Sequence, residues 1–141
     1  MPINVLSIRE PWAYCILHCG KDIENRHYIF PHQLHSQRIY IHSSKTVDWD
    51  GYWNLIDCEI KLPTMEKIKS RCGFITGSVQ LTGVIYQSGS PWFIEGSVGW
   101  KLKDPKELST FISAKGRLGF WEYYFETEKK PTDNQLALNL T

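Results

Sequence analysis

The chain has 141 residues, of which 42% are hydrophobic and 22% are charged, as is typical of a single globular domain. Its formal net charge is +1, which excludes a protein that binds polyanions through bulk charge alone. No apolar stretch approaches the roughly 20 residues of a membrane-spanning helix, and no apolar signal region precedes Arg9, so we expect a cytoplasmic protein with no membrane partner.

Hydrophobic periodicity predicts alternating strands and helices in the first half of the chain. The predicted strands cover residues 4–8, 22–28 and 38–42, with a loop between the last two over residues 28–37. The predicted helices cover residues 11–20, 48–57 and 64–71. Pro11 suits the first position of a helix, and Gly20 suits a left-handed helix end. In the third strand Ile39 and Ile41 are expected to face the core, and His42 is expected to face outward.

The second half of the chain is predicted to be mainly β. Residues 74–86 give the strongest strand signal, and Gly77 and Gly83 on the inward face predict a sharply bent sheet, as small barrels require. Further strands are predicted over residues 98–102, 110–113 and 118–125. We therefore predict an α+β domain over residues 1–126, built on a curled sheet, and a polar C-terminal tail over residues 127–141.

Positive charge is concentrated in the first third of the chain. Residues 1–45 carry a formal charge of +2, residues 46–141 carry −1, and all five histidines lie between His18 and His42. The first third therefore becomes more cationic as the pH falls through the histidine range.

Lys21, Glu24 and Arg26 bring both signs of charge together at a predicted helix-to-strand junction. One interpretation is an ion pair between Glu24 and Arg26 that orients the strand and, when exposed, contributes little stability. The other is a polar cleft in which Lys21 and Arg26 bind phosphate or carbonyl oxygens, while Glu24 accepts a hydrogen bond from a base or activates water. The residues alone leave both interpretations open.

Six tryptophans are a high number for a chain of this length. Trp92, which follows Pro91 in a predicted loop, is the strongest candidate for a base-stacking surface, and Trp12 is the second. Stacking a base on an indole ring is worth roughly 1–3 kcal/mol and tolerates sequence variation. We expect the rings of Trp49, Trp53 and Trp121 to pack in the core or at its rim.

Several segments in the same order resemble motifs of the ASCH domain family, small relatives of the PUA RNA-binding barrel. The first motif resembles residues 6–13, LSIREPWA. The family signature G-x-K-x-x-E-x-R is similar to residues 21–26, KDIENR, and the segment after it resembles residues 41–45, IHSSK. The closing half of the pattern resembles residues 90–93, 99–100 and 115–121. Together these matches extend over residues 6–121.

The resemblance implies a PUA-like small mixed β-barrel with short flanking helices. It also implies a cleft that is lined by the signature residues and holds RNA, a nucleotide or a modified nucleoside. Two positions depart from the family pattern. Cys19 stands where the first signature glycine would fall, and Glu10 stands where many members carry glutamine, which adds a negative charge beside the expected cleft.

An enzyme of the same fold is the alternative. Some ASCH relatives remove the acetyl group from N4-acetylcytidine with a lysine, a threonine three residues later and a distant glutamate. Here Lys21 is followed by Glu24 at the threonine position, so the hydroxyl nucleophile that covalent acyl transfer needs is missing. Glu24 as a general base acting on water, with Lys21 as its electrostatic partner, would replace it. Ribonuclease chemistry with Lys21, His42 or Lys45 at the transition state is a further option.

Ten residues are therefore candidates for ligand binding, with Lys21 and Glu24 as the catalytic pair if the protein is an enzyme. They are Ser7, Arg9, Glu10, Trp12, Lys21, Glu24, Arg26, His42, Lys45 and Trp92. The four cysteines lack the paired spacing of a structural zinc site, so we expect reduced thiols and neither a metal nor a cofactor. A protein-interaction module without a nucleic-acid role stays open because the net charge is near zero.

Overall fold

The computed structural model describes residues 1–125, so the predicted tail over residues 127–141 lies outside the described residues. The strands are β1 (Ile3–Glu10), β2 (Ile23–Arg26), β3 (Arg38–Val47), β4 (Phe74–Ile85), β5 (Val98–Ser113) and β6 (Phe120–Tyr123). The helices are α1 (Trp12–His18), α2 (Trp49–Asp57) and α3 (Met65–Arg71), with a 3-10 turn at His32–Leu34. Each predicted helix is present. Thr64 caps α3, and Asp48 caps α2, through their side-chain oxygens.

One open sheet holds all six strands, in the order β2-β5-β4-β3-β1-β6. The β1–β3 pair is parallel, and the other four pairs are antiparallel. The α+β class predicted from the sequence is confirmed. Within residues 1–125 the sheet is not closed into a barrel, since β2 and β6 are its two edges. No helix of this part of the chain is long and apolar enough to span a membrane.

The bend of the sheet follows from irregular pairing between β4 and β5. The pairing shifts register at three places, and each shift inserts unpaired backbone and increases the local twist. Two of these shifts end at Gly77 and Gly83, the glycines from which a bend was predicted. A Cβ on Gly77 would lie 2.6 Å from Leu17 Cδ2, so the glycine also lets α1 approach the sheet.

β5 is a single strand where the sequence predicted two. The stretch between the two predicted strands contains Asp104, with φ of 54°, and Pro105, both of which favour a break. Pairing with β4 nevertheless continues on both sides of this stretch because the register shifts accommodate it. The last strand, β6, lies at an edge of the sheet and covers only four of the eight residues predicted as strand.

The hydrophobic core lies between α1 and the curled sheet. Ala13, Ile16 and Leu17 form the buried face of α1, as predicted, and Trp100 of β5 is fully buried. His42 pairs with Ser7 of β1 and lies on the sheet face opposite Ile41, as the predicted alternation requires, but the exposure expected of an outward residue is wrong. Residues 114–121 cover that face, so His42 is 2% exposed, with Nε2 2.8 Å from the Ala114 carbonyl oxygen and its ring centroid 5.5 Å from that of Trp121.

Glu10, at the end of β1, is fully buried and its carboxylate accepts three hydrogen bonds. The donors are the Tyr14 backbone N–H at 2.9 Å, the Ser43 hydroxyl at 2.7 Å and Arg71 Nε at 3.0 Å. Arg71 also donates to Glu107 Oε1 at 2.7 Å. These bonds join β1 to α1, β3, α3 and β5, so the Glu10 carboxylate has a structural role in the interior.

Replacing Glu10 with alanine should lower the free energy of unfolding by about 3–5 kcal/mol, because it removes the buried acceptor of Arg71 Nε, the Ser43 hydroxyl and the Tyr14 N–H. Arg71 then depends for charge compensation on Glu107, whose side chain is 31% exposed. Arg71 Nη2 is already buried without a hydrogen-bond partner among the described residues. Urea denaturation measures the loss. Asp57→Ala, at the exposed end of α2, is the matched control and should change stability by about 0.5 kcal/mol or less. Equal effects of the two substitutions would contradict a structural role for Glu10.

Candidate functional site

Lys21 lies where the chain turns from α1 into β2. Gly20 has a φ of +73°, the left-handed conformation predicted for the helix end, and the Lys21 N–H donates to the Cys15 carbonyl oxygen at 3.1 Å. This turn directs the Lys21 side chain inward, where it is 5% exposed. A buried ammonium needs polar partners close by.

The partners of Lys21 come from the strand that follows it. Its Nζ donates to the Ile23 carbonyl oxygen and lies 3.8 Å from Glu24 Oε1. The other carboxylate oxygen of Glu24 accepts a hydrogen bond from Arg26 Nε at 2.9 Å. Glu24 is therefore placed between two cations, and the exposed ion pair considered from the sequence is in fact mostly buried.

Arg26 connects these charges to β1 and to the core. Its Nη2 donates to the Ser7 carbonyl oxygen at 3.3 Å, and its guanidinium carbon lies 5.3 Å from the ring centroid of Trp100. Trp100 is held in turn by a 2.8 Å hydrogen bond from its indole N–H to the Tyr28 carbonyl oxygen. The guanidinium is thus fixed by a cation–π contact on one side and a backbone carbonyl on another.

Two indole rings flank the lysine. The Lys21 ammonium lies 5.8 Å from the ring centroid of Trp12 and 5.9 Å from that of Trp92, both within the range of a cation–π contact. Both tryptophans are partly exposed. We refer to Trp12, Lys21, Glu24, Arg26 and Trp92 as the Lys21 cluster.

The position of Trp12 depends on the start of α2. Its indole N–H donates to Asp48 Oδ2 at 3.0 Å, while Asp48 Oδ1 accepts the Gly51 N–H. A Cβ on Gly51 would lie 2.5 Å from Cζ2 of Trp12, so only glycine leaves room for the ring. The Gly51 N–H, the Trp12 indole and nearby Arg9 together lower the pKa of Asp48.

The position of Trp92 depends on Asn25, which sequence reasoning did not single out. Asn25 Nδ2 donates to the Trp92 carbonyl oxygen at 2.9 Å. Its Oδ1 accepts from the Ile94 N–H at 2.9 Å and from the Ser97 hydroxyl at 3.0 Å. One amide side chain thereby holds three points of the loop before β5. The sequence offered one signal for this role of Asn25, namely an amide side chain between the charged residues Glu24 and Arg26 of a strand.

The structure brings six of the ten sequence candidates together, namely the Lys21 cluster and Ser7. Arg9 is exposed and lies 3.9 Å from Asp48 Oδ2, beside the residue that orients Trp12. Lys45 is exposed on β3. Glu10 and His42 are both buried, Glu10 among its hydrogen-bond donors and His42 beneath the segment that contains Gly116.

Two opposing effects set the pKa of Lys21. Burial lowers the pKa of Lys21 below the ordinary lysine value, because desolvation penalises the ammonium, while the Glu24 carboxylate acts in the opposite direction. An amine with a lowered pKa beside a carboxylate can bind oxygen atoms or take part in proton transfer. Both functions considered from the sequence are therefore chemically feasible.

Metal binding finds no support in the part of the chain that the structure describes. Among residues 1–125, no group of three or more His, Cys, Asp or Glu side chains is arranged to hold a metal ion. The four cysteines are all free thiols in this fold. The Lys21 cluster offers cations, one carboxylate and aromatic faces instead.

Comparisons of the sequence with known proteins give no match. No family model matches the chain, and no curated protein matches it. The function therefore has to be argued from the geometry of the site.

Replacing Lys21 with methionine should leave the free energy of unfolding at neutral pH unchanged or increase it. The folded state binds the Lys21 proton more weakly than the unfolded state, so wild-type stability rises with pH between the lowered pKa and the ordinary value of about 10.4. The free energy of unfolding of Lys21→Met relative to the wild type should therefore fall as the pH rises over that range. Denaturation at several pH values measures this, and a destabilisation of more than about 1 kcal/mol at pH 7 would show that Lys21 is structural.

Proposed function

We propose that this chain is an ASCH-like domain of the PUA-like superfamily that binds RNA, or a nucleotide or modified nucleoside, at the Lys21 cluster. The observation that carries the proposal is the buried Lys21 ammonium, paired with Glu24 and flanked by two partly exposed indole rings. The order of motifs along residues 6–121 adds the family resemblance. A PUA-like barrel is part of the proposal, with the gap between β2 and β6 as its open side.

The residue types match the chemistry of a nucleotide. A base has a flat aromatic face that stacks on Trp92 or Trp12, and its edge carries carbonyl oxygens and N–H groups. Lys21 and Arg26 donate to carbonyl or phosphate oxygens, and Glu24 accepts from an N–H group. The partial exposure of both indole rings leaves aromatic surface open to a ligand.

Stability alone does not account for a lysine at this position. Well-packed apolar residues in place of buried charges are often neutral or stabilising, whereas an ammonium with a lowered pKa is buried at a cost. Glu24 already has a cationic partner in Arg26, at 2.9 Å. The second cation is therefore better explained by a ligand that needs it.

A binding test follows from the two parts of the Lys21 cluster. Lys21→Met should weaken binding of single-stranded RNA and reduce the dependence of log K on log salt by about 0.7 if Lys21 contacts one phosphate. Trp92→Ala should weaken binding about 5- to 150-fold at every salt concentration, from the loss of one stacking contact. Fluorescence titration with short RNA measures both.

Trp53→Ala is the matched control, because it removes an indole that is 49% exposed on α2. It should bind RNA as the wild type does. Unchanged affinity in both Lys21→Met and Trp92→Ala, with the fold intact by circular dichroism, would refute the proposed site.

A hydrolase is the second candidate, favoured by the lowered pKa of Lys21 beside a carboxylate. In this reaction Glu24 takes a proton from water while the water oxygen attacks the acetyl carbonyl of N4-acetylcytidine. The Lys21 ammonium stabilises the oxyanion, and the C–N bond then breaks as the proton passes to the leaving amine, which gives acetate and cytidine. A water molecule thereby replaces the missing hydroxyl nucleophile.

Incubation of the pure protein with N4-acetylcytidine, and separately with single-stranded RNA, tests the hydrolase. The second candidate predicts acetate release or RNA cleavage that Glu24→Gln reduces at least about 100-fold. Glu66→Gln, on the exposed side of α3, should leave turnover unchanged. No turnover by the wild type would eliminate the hydrolase and leave the binding proposal intact.

A further inference from the structure

A cavity of about 740 Å³ lies along β6, at the edge of the sheet. The segment of residues 31–37 forms one wall, and residues 117–124 form the other. Its lining includes Asn4, Gln33, Gln37, Arg117, Trp121 and Tyr124. We refer to this cavity as the β6 groove.

The β6 groove adjoins the Lys21 cluster through Ser7. The Ser7 carbonyl oxygen accepts a hydrogen bond from Arg26 of the cluster at 3.3 Å. The Ser7 hydroxyl accepts one from the indole N–H of Trp121, a groove residue, at 2.9 Å and donates to the Arg117 carbonyl oxygen. One residue of β1 therefore links the cluster to the groove.

Aromatic packing joins the two sites as well. Phe120, which lines the groove, stacks on Trp100 at a centroid distance of 5.4 Å and an interplanar angle of 13°. The Arg26 guanidinium lies over the same Trp100 ring. The groove and the cluster thus contact the same buried ring, which fixes the distance between them.

The lining of the β6 groove suits nucleotides. Asn4, Gln33 and Gln37 are exposed amides, each able to donate and accept hydrogen bonds with a base edge. Trp121 and Tyr124 are partly exposed rings that can stack on bases, and Arg117 is an exposed cation at the end nearest Ser7. Glu122 is the acidic side chain of the lining, and it accepts hydrogen bonds only.

An extended peptide fits this groove less well. Peptides that add to a sheet depend on a row of backbone hydrogen bonds along an exposed strand. β6 offers only the four residues Phe120–Tyr123. The amide and aromatic side chains that surround it are the groups that read single-stranded nucleic acid.

We propose that the β6 groove binds the nucleotides next to the one held at the Lys21 cluster, so that the ligand is a segment of single-stranded RNA and not a free nucleoside. This proposal rests on the proposed function. It adds a second binding site and assigns the readout of neighbouring bases to Gln33 and Gln37, with Arg117 at the connecting phosphate.

The test compares ligands of different length on the full chain. Binding of the four nucleoside monophosphates and of the corresponding tetranucleotides is measured by isothermal titration calorimetry. The wild type should bind a tetranucleotide at least about tenfold more tightly than its monophosphate, the gain expected from one additional stacked or hydrogen-bonded base. Equal affinity for both lengths would overturn the proposal.

Two variants separate the groove from the cluster. Gln33→Ala combined with Gln37→Ala, and separately Arg117→Ala, should remove most of that tenfold gain while leaving monophosphate affinity unchanged. Asn54→Ala combined with Lys103→Ala is the matched control, because it removes an exposed amide and an exposed cation elsewhere, and it should change neither affinity.

The outcomes distinguish the two proposals. Loss of monophosphate binding in Lys21→Met together with loss of the length effect in the groove variants supports both. Tight monophosphate binding with no effect of the groove variants overturns the β6 groove alone. If neither monophosphates nor tetranucleotides bind the wild type, the proposed function fails and the groove proposal fails with it.

Discussion

The buried ammonium of Lys21 is the constraint on which the arrangement around it depends. A charge at this depth has to be compensated, and the compensation passes along a chain of contacts: Lys21 to Glu24, Glu24 to Arg26, and Arg26 to the Ser7 carbonyl oxygen. These contacts join the end of α1 to β2 and β2 to β1, so the three segments are held in one relative placement. The same chain ends at Ser7, which also bonds to Trp121 and Arg117 of the β6 groove.

The two indole rings beside Lys21 are positioned by residues that do not face a ligand. Gly51 and Asp48 at the start of α2 fix Trp12, since a larger residue at position 51 would collide with the ring. Asn25 fixes the loop that carries Trp92 through three hydrogen bonds. Support of this kind reduces the conformational entropy that a ligand has to overcome on binding. It also explains why α2 tolerates a glycine in its first turn, where helix propensity alone argues against one.

Local patterns in the sequence were sufficient for the three helices, for the first four strands and for the proximity of Lys21, Glu24 and Arg26. The helix-to-strand junction at Gly20 and Lys21 was predictable because a left-handed glycine and an alternating strand follow each other directly. The burial of His42 was not predictable, because the residues that cover it, 114–121, lie far from it in sequence. The same holds for β5, whose continuity across Pro105 depends on register shifts between partner strands. Asn25 and Gly51 act through contacts with residues 92 and 12, far apart in sequence, so that no local pattern marks them.

Two buried charge clusters in this small domain show how structural and functional charges can be separated. Glu10 accepts three hydrogen bonds from three different elements, and its partner Arg71 binds a second carboxylate, so the network ties the fold together on all sides. Lys21 has one carbonyl and one carboxylate within reach, its pKa is lowered, and it lies over two indole rings that are partly exposed. Removal of Glu10 leaves three buried donors without their acceptor, whereas removal of Lys21 leaves Glu24 paired with Arg26. A large loss of stability in the first case and none in the second would therefore separate charges that hold the fold together from a charge that does not.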